Sequence, residues 1–555
     1  MKKRVISLVL AATMVAALAV GCGNKADTNK ESNKNQPKTL KVEKAENGGD
    51  LLSVQIGPNP ETIDPALNSS VDGGNMILHL FEGLLTVDKD EHIAEGCAEK
   101  WEQSPDGLTW TFTLRDGLKW SDGTALTAED FVYSWKRVCD PNTAAPYGET
   151  VLGMVKGYSE AVKGNTDALA VTAVDAKTLK VELDNPCTYF DSLVAFATLS
   201  PVQKATVEKN GDKWATQAST YVSNGPFKVT EWVPDSHITV SKNENYWNAD
   251  AIKLGGIKFV LMEDANAAYN AFMNGDLALA KDVPTEEIPT LKDTDFFTVD
   301  PIIGTYYISL NDSLDMFKDE NVRKALNIAI DRDYLASEIM QGTYTAAYNF
   351  MGPGWVDTDG KDFMGNANNG KTYISDDYEA NLKEAKKLME AAGYSESNKL
   401  TFTYSTNDAG YHKPVAEYLQ EAWAEIYVDM KVDVVEWSSF TPMRRNGDYD
   451  ASRNGWGGDY TDPSNMLELL YSTNGNNDGK FNDADFDAAI DESRTTTDPI
   501  KRSAALHKAE DIMMGKSACI PLAYYNDFWL QNEGVNGIWH SPRGYWYFMY
   551  AEVAK

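Results

Sequence analysis

Thr109-Trp-Thr-Phe-Thr-Leu-Arg-Asp-Gly-Leu-Lys-Trp-Ser-Asp-Gly123 alternates first and then turns twice. Trp110, Phe112 and Leu114 fall on one side of an extended segment and threonines on the other, which is the period-two pattern of a half-buried strand. Asp116-Gly117 and Asp122-Gly123 are turn signals on either side of Leu118-Lys119-Trp120, so a hairpin or meander is predicted. Thr127-Ala-Glu-Asp130 follows with the spacing of a capping box, and the helix behind it would bring Phe131, Trp135 and Val138 to one face. Glu129 and Asp130 suit the positive end of that helix and are read as structural. Further out, Leu382, Ala385, Leu388, Met389 and Ala392 form a helical apolar stripe ended by Gly393, and residues 238–241 and 428–435 favour strands. Strand and helix periods alternate along the chain, so the expected class is α/β, with mixed sheets flanked by helices.

The chain has 555 residues, enough for about three structural units at ~100–200 residues each. Its 83 Asp and Glu against 51 Lys and Arg give a net charge of −32, which excludes a nucleic-acid partner because phosphate binding needs clustered Lys and Arg. Lys2, Lys3 and Arg4 precede an uncharged apolar run from Val5 to Val20. That run falls short of the ~20 residues of a spanning helix and reads as a secretory signal over residues 1–21. Val20-Gly21-Cys22 resembles the cleavage site of a bacterial lipoprotein, with Ala19 at the usual leucine position and Leu18 one place early. The resemblance implies lipid on Cys22 and anchoring to the outer face of a cell membrane. Residues 22–50, rich in Asn, Lys, Glu and Gly, are expected to form a flexible tether.

Cys97, Cys139, Cys187 and Cys519 have no CxxC spacing; three pairings or buried thiols are all open. The six histidines make no metal-spaced cluster, and neither a metal nor a cofactor is expected. A surface hydrolase is the rival class, but HExxH, GxSxG and P-loop motifs are missing from the sequence, so a non-enzyme is expected.

An ordered set of blocks carries a family resemblance: Thr62-Ile-Asp-Pro65, Phe81-Glu-Gly-Leu-Leu85, Ala98-Glu-Lys-Trp101, the Trp110–Gly123 hairpin, Ser223-Asn-Gly-Pro-Phe227, Asn245-Tyr-Trp247, Val322-Arg-Lys-Ala325 with Asp331-Arg332, and Gly455-Trp-Gly-Gly-Asp-Tyr460. From about residue 52 onward the chain resembles the oligopeptide/dipeptide-binding family, the extracellular solute-binding proteins of ABC peptide importers. The resemblance implies a two-lobed hinged fold with an extra N-terminal subdomain. Lobe I is expected over 51–304 plus 517–555, with the subdomain at about 82–222, and lobe II over 305–516. It implies a monomer that hands short peptides to a membrane permease driven by separate ATPase subunits. Dipeptides, a signalling peptide or a non-peptide solute remain alternative ligands, since relatives of this fold bind nickel or haem.

Gripping a peptide without reading its side chains needs an acid for the α-ammonium, backbone for the peptide's backbone, and loose side-chain space. Gly455 and Gly457 would let an extended peptide approach as an added strand. Asp459 is the expected ammonium partner by the family motif, although the residue types alone also allow it to cap the turn into Pro463. The resemblance further implies that Val71 pairs peptide backbone from the opposite lobe, that Tyr147 faces the cleft, and that Trp437 and Trp456 wall side-chain pockets. It places Arg453 near the cleft and His412 toward the peptide's C-terminal side.

Overall fold

The structure, a computed structural model, describes residues 36–358, 360–407 and 410–554; the side chains of Trp437 and Ser438 are not described. The signal at 1–21 and Cys22 lie outside the described residues. Among the described residues no helix is long and apolar enough to cross a membrane.

The opening stretch folds as its pattern predicts. Thr109–Leu114 is a strand with Trp110, Phe112 and Leu114 buried, in a four-stranded antiparallel sheet between Ala98–Gln103 and Thr178–Glu182. Gly117 (φ 71°) and Gly123 (φ 86°) take the left-handed turn positions, and Lys119 bridges to Ala125. Thr127 N donates to Asp130 Oδ2 (2.8 Å), closing the capping box of the helix Ala128–Cys139, which buries Phe131, Trp135 and Val138. This subdomain shares one continuous core with the rest of the first lobe, so its hydrophobic contacts do not stop near residue 82 or 222.

The largest sheet has 12 strands and runs through both lobes. At its centre Phe297–Leu310 and Ile520–Gln531 pair antiparallel, with breaks in register between Pro301 and Thr305 and between Tyr306 and Tyr307. Residues before the first break join the first lobe, where Leu279–Ala280, Asp50–Gln55 and Gly256–Val260 continue the sheet. Residues after it join the second lobe, flanked by Ala451–Gly457, Leu400–Asn407 and Val428–Val435. The cores divide likewise. Val54, Trp135 and Trp546 belong to the first, while Ile308, Tyr404, Trp423, Ile520, Leu522 and Ala523 pack in the second. The return to the first lobe therefore falls inside the strand Ile520–Gln531, several residues later than the expected 517, because the first half of that strand buries its side chains in lobe II.

The later part of the expected 22–50 tether is docked on the first lobe instead of being free. Lys38 N donates to Met273 O (3.0 Å) and Lys41 N to Gly275 O (2.8 Å); Glu43–Lys44 pairs with Asp50 and Leu51, and Leu40 packs on the first core. Backbone pairing needs few large side chains, so the polar composition of this segment concealed its docking. Cys97, Cys139, Cys187 and Cys519 are free and buried, which closes the question of their pairing.

Several motif blocks prove to be joints of the scaffold. Glu82 holds the hydroxyl of Tyr246 and the indole N–H of Trp247, both at 2.6 Å, and its backbone exchanges hydrogen bonds with the side chain of Asn224. His79 is fully buried; its Nδ1 lies 2.7 Å from Asn75 O and its Nε2 accepts from Phe548 N (2.9 Å), an arrangement that requires the neutral ring. Burial pushes its pKa down to about 4. A group held below its unfolded value contributes stability above pH 6.5 that is lost as the pH falls toward 4. The expected acid loss from this residue is up to about 3 kcal/mol. His79→Gln, measured by urea unfolding at pH 7 and pH 4.5, is expected to show a smaller acid loss than the wild type.

Candidate functional site

Two hinge strands placed between lobes leave a cleft, and the glycine block lies at its edge. Gly304 pairs with Gly457, Thr305 with Trp456 and Tyr306 with Gly455, and Gly458 N donates to Ile303 O (2.8 Å). The glycines serve different ends. A Cβ on Gly455 would collide with the Tyr525 hydroxyl, and one on Gly458 would meet Ile303 Cδ1 and Trp355 Cη2 at 2.5 Å. Gly457 alone of the three is exposed and meets nothing closer than 4.0 Å, so it is the position with room for another backbone. At Gly455 the missing side chain makes room for Tyr525 of this chain.

Asp459 stands at the end of this strand. Its Oδ1 accepts from the Tyr147 hydroxyl (3.0 Å) across the cleft, its Oδ2 from Asn465 Nδ2 (3.4 Å), and its own N–H donates to Asn465 Oδ1 (3.2 Å). Trp456 Nε1 donates to the same Asn465 oxygen (3.1 Å). The turn into Pro463 is held by Asp462, which accepts from Ser464 N and pairs in two contacts with Arg502 (2.7 and 2.8 Å). Burial raises the pKa of Asp459, and the bonds from Tyr147 and Asn465 only partly oppose it. A carboxylate so placed gains from a cation arriving in the cleft.

Val71, Tyr147, Gly455, Trp456, Gly457 and Asp459 all line one cavity of about 320 Å³ between the lobes. Val71, the first residue of the helix Val71–Leu80, is 40 % exposed there. Lys281, Asp527, Arg543 and Tyr545 also line it and were not foreseen. The only signal for the last two was the turn dipeptide Arg543-Gly544 set between aromatic residues. A second cavity of about 220 Å³ shares Phe196, Ala197, Arg543 and Tyr545 as walls.

Arg453 and His412 do not line the Asp459 cavity. His412 Nδ1 lies 3.1 Å from the Tyr306 hydroxyl, and the Arg453 guanidinium is 5.3 Å from the Tyr306 ring centre. This cluster adjoins Gly455 through Tyr525. Burial and the nearby Arg453 charge push the His412 pKa down to about 3, so the ring is neutral. Burial opposes the charge of Arg453, but the oxygens of Tyr525, Tyr306 and Tyr404 outweigh it. Trp437 opens the helix Trp437–Asn446, and its side chain lies outside the described residues. For metals, the described residues hold one group of three possible ligands, Asp88, Asp90 and His92, with atoms within 4.8 Å in an exposed hairpin; sequence spacing missed it, because two of its members are carboxylates. Asp88 there accepts from the backbone N–H groups of Asp90 and His92, which is ordinary turn chemistry.

A ligand-sized cavity between two lobes, crossed by paired hinge strands and walled by both, defines a solute-binding receptor. The chain belongs to the bacterial extracellular solute-binding proteins, family 5, whose middle-region profile matches residues 92–478. It is 37 % identical over 567 residues to the oligopeptide-binding protein OppA of Bacillus subtilis, covering 99 % of each chain. It is 33 % identical to the dipeptide-binding protein DppE of the same organism, covering 95 % of each. Haemophilus influenzae OppA, solved in complex with the peptide RPPGFSPFR, superposes with a TM-score of 0.75 at 31 % identity, over 91 % of this chain and 99 % of that one. This family is one of substrate capture outside the cytoplasm.

Proposed function

We propose that this protein captures short peptides for an ABC importer, enclosing an extended peptide between its lobes with the α-ammonium on Asp459. The observation that carries the reading is the Asp459 carboxylate in the interlobe cavity, held by Tyr147 and Asn465 and, among the described residues, paired with no Lys, Arg or His. Gly457 leaves room for the peptide backbone on one side of the cavity, and Val71 faces it from the other lobe. The Arg453–His412 cluster suits the ligand's terminal carboxylate, since its guanidinium has tyrosine rings and hydroxyls as neighbours and, among the described residues, no carboxylate paired to it. The names of the relatives, OppA and DppE, support peptides as the ligand class.

The test uses the 14 tryptophans as reporters. A pool of tri- to pentapeptides is expected to change the fluorescence of the protein from residue 36 onward, and the same pool N-acetylated is not. Equal responses to both pools would remove the amine clamp, and silence to both would remove the peptide. Lipid on Cys22 would hold the receptor at the membrane beside its permease and ATPases. Cys22→Ala is expected to move the protein from the membrane fraction to the soluble fraction without changing peptide affinity; retention in the membrane would overturn the anchor.

A further inference from the structure

The two hinge strands place Asp300 directly opposite Asp527, immediately before the register breaks beyond Pro301. Like charges facing each other on neighbouring strands destabilise a sheet. His540 lies against both carboxylates: its Nδ1 is 3.1 Å from Asp300 Oδ2 and its Nε2 3.0 Å from Asp527 Oδ2. A neutral imidazole has one N–H to give, and only the imidazolium donates from both nitrogens. The side chain is 3 % exposed and packs between Trp529 and Trp546, each ring centre 4.7 Å away.

His540 also ends the first strand of the hairpin formed by Trp539–His540 and Trp546–Tyr547, and the turn of that hairpin returns to the hinge and the cavity. Ile303 N, inside the register break, donates to Pro542 O (2.7 Å), while Arg543, Gly544 and Tyr545 wall the ligand cavity. The other charged groups nearby are Lys281, which acts on Asp527 and sits 5.4 Å from the Trp546 ring centre, and the ion pair of Arg543 with Glu91 (2.8 Å) on the turn.

We propose that His540, as an imidazolium between Asp300 and Asp527, is a positioning residue for lobe closure, fixing the rung from which the hinge bends and holding one cavity wall to it. This rests on the reading that a ligand is enclosed between the lobes. The direction of the His540 titration agrees: burial opposes its charge, but the two carboxylates outweigh burial and raise its pKa above 6.5. The clamp is therefore complete at pH 6 and is lost as the pH rises through that raised value, leaving two carboxylates face to face.

The experiment compares Ala-Ala-Ala affinity of the wild type, His540→Gln and His540→Gln/Asp300→Asn across pH 6 to 9 by calorimetry. His540→Gln is expected to bind about fivefold or more weakly at pH 6, within the usual range of coupling between sites. That ratio is expected to shrink toward one as the wild-type imidazole deprotonates. The ligand's own amine titrates alike with every variant and cancels from the ratio. Adding Asp300→Asn removes the repulsion and is expected to restore most of the affinity. A ratio independent of pH, or no recovery in the double variant, would overturn the proposal, because an imidazole that only fills space predicts both. If His540→Gln does not fold, or Ala-Ala-Ala binds no variant, NMR titration of His540 decides. Its midpoint is expected above 6.5 in the wild type and lower in Asp300→Asn, and an unmoved midpoint overturns the clamp. Failure of Ala-Ala-Ala to bind the wild type would count against the peptide reading alone.

Discussion

Asp459→Ala is expected to weaken binding of free-amine peptides by about 10²–10⁴-fold, the equivalent of the ~3–5 kcal/mol lost when one partner of a buried charge pair is removed. The size follows from the site. In the closed cavity the ligand's ammonium would have Asp459 as its counter-charge, and Tyr147 and Asn465, which now orient the carboxylate, would be left without their acceptor. Asp459→Asn keeps the shape and separates charge from packing; it is expected to lose nearly as much. Tyr147→Phe leaves the charge and removes one orienting bond, so a smaller loss is expected. Calorimetry on each variant with a free and an N-acetylated peptide checks all three, and a loss below about tenfold for Asp459→Ala would assign the ammonium elsewhere. Binding is also expected to weaken in acid. Burial raises the pKa of Asp459 in the free protein, and an arriving ammonium favours the ionised form, so affinity falls as the pH drops through that raised value.

The largest effect on stability is expected at Asp64, which is 2 % exposed. Its carboxylate takes Arg137 in two contacts (2.9 and 2.6 Å), the indole N–H of Trp214 (2.9 Å) and the backbone N–H of Ala66 (3.0 Å). It thus ties the chain after the first long strand to the helix Ala128–Cys139 of the subdomain. Asp64→Ala would strand a guanidinium and an indole N–H beneath the surface, and a loss of about 3–5 kcal/mol is expected. Urea unfolding followed by circular dichroism measures it. The double variant Asp64→Leu/Arg137→Met, which removes both charges and keeps the volume, is expected to recover a large part of that loss. Peptide affinity of the folded fraction is expected to be unchanged, since Asp64 does not line the cavity.

The contrast between these two aspartates separates what could be read in the sequence from what could not. Both sit in blocks that resemble the same family, Thr62-Ile-Asp-Pro65 and Gly455-Trp-Gly-Gly-Asp459, and by residue type they are equivalent. Only their neighbours in space differ: Asp64 is saturated by donors of its own lobe, and Asp459 is held by two neutral groups and open to a cavity. Glu82 shows the same limit, since a motif glutamate that invites a functional reading spends both oxygens on Tyr246 and Trp247. Arg453 and His412 stand apart from the Asp459 cavity because Tyr525 and Tyr306 lie between, and those contacts join strands more than 70 residues apart in sequence from Arg453.

Local periodicity decided what depends on local physics. Trp110, Phe112 and Leu114 fix a strand because side chains alternate across a sheet, and Thr127 with Asp130 fixes a helix start because free N–H groups need acceptors. The ordered motif blocks, together with the division of cores they encode, decided the family and its two-lobed plan. The tertiary structure alone decided how far the body extends toward the N-terminus and where lobe II hands the chain back. It alone set Asp300 against Asp527 with His540 between them. The physical reason is that such pairings are made by long-range register and packing. A carboxylate's chemistry is set by the charges and donors that the fold brings within a few ångströms, not by its neighbours along the chain.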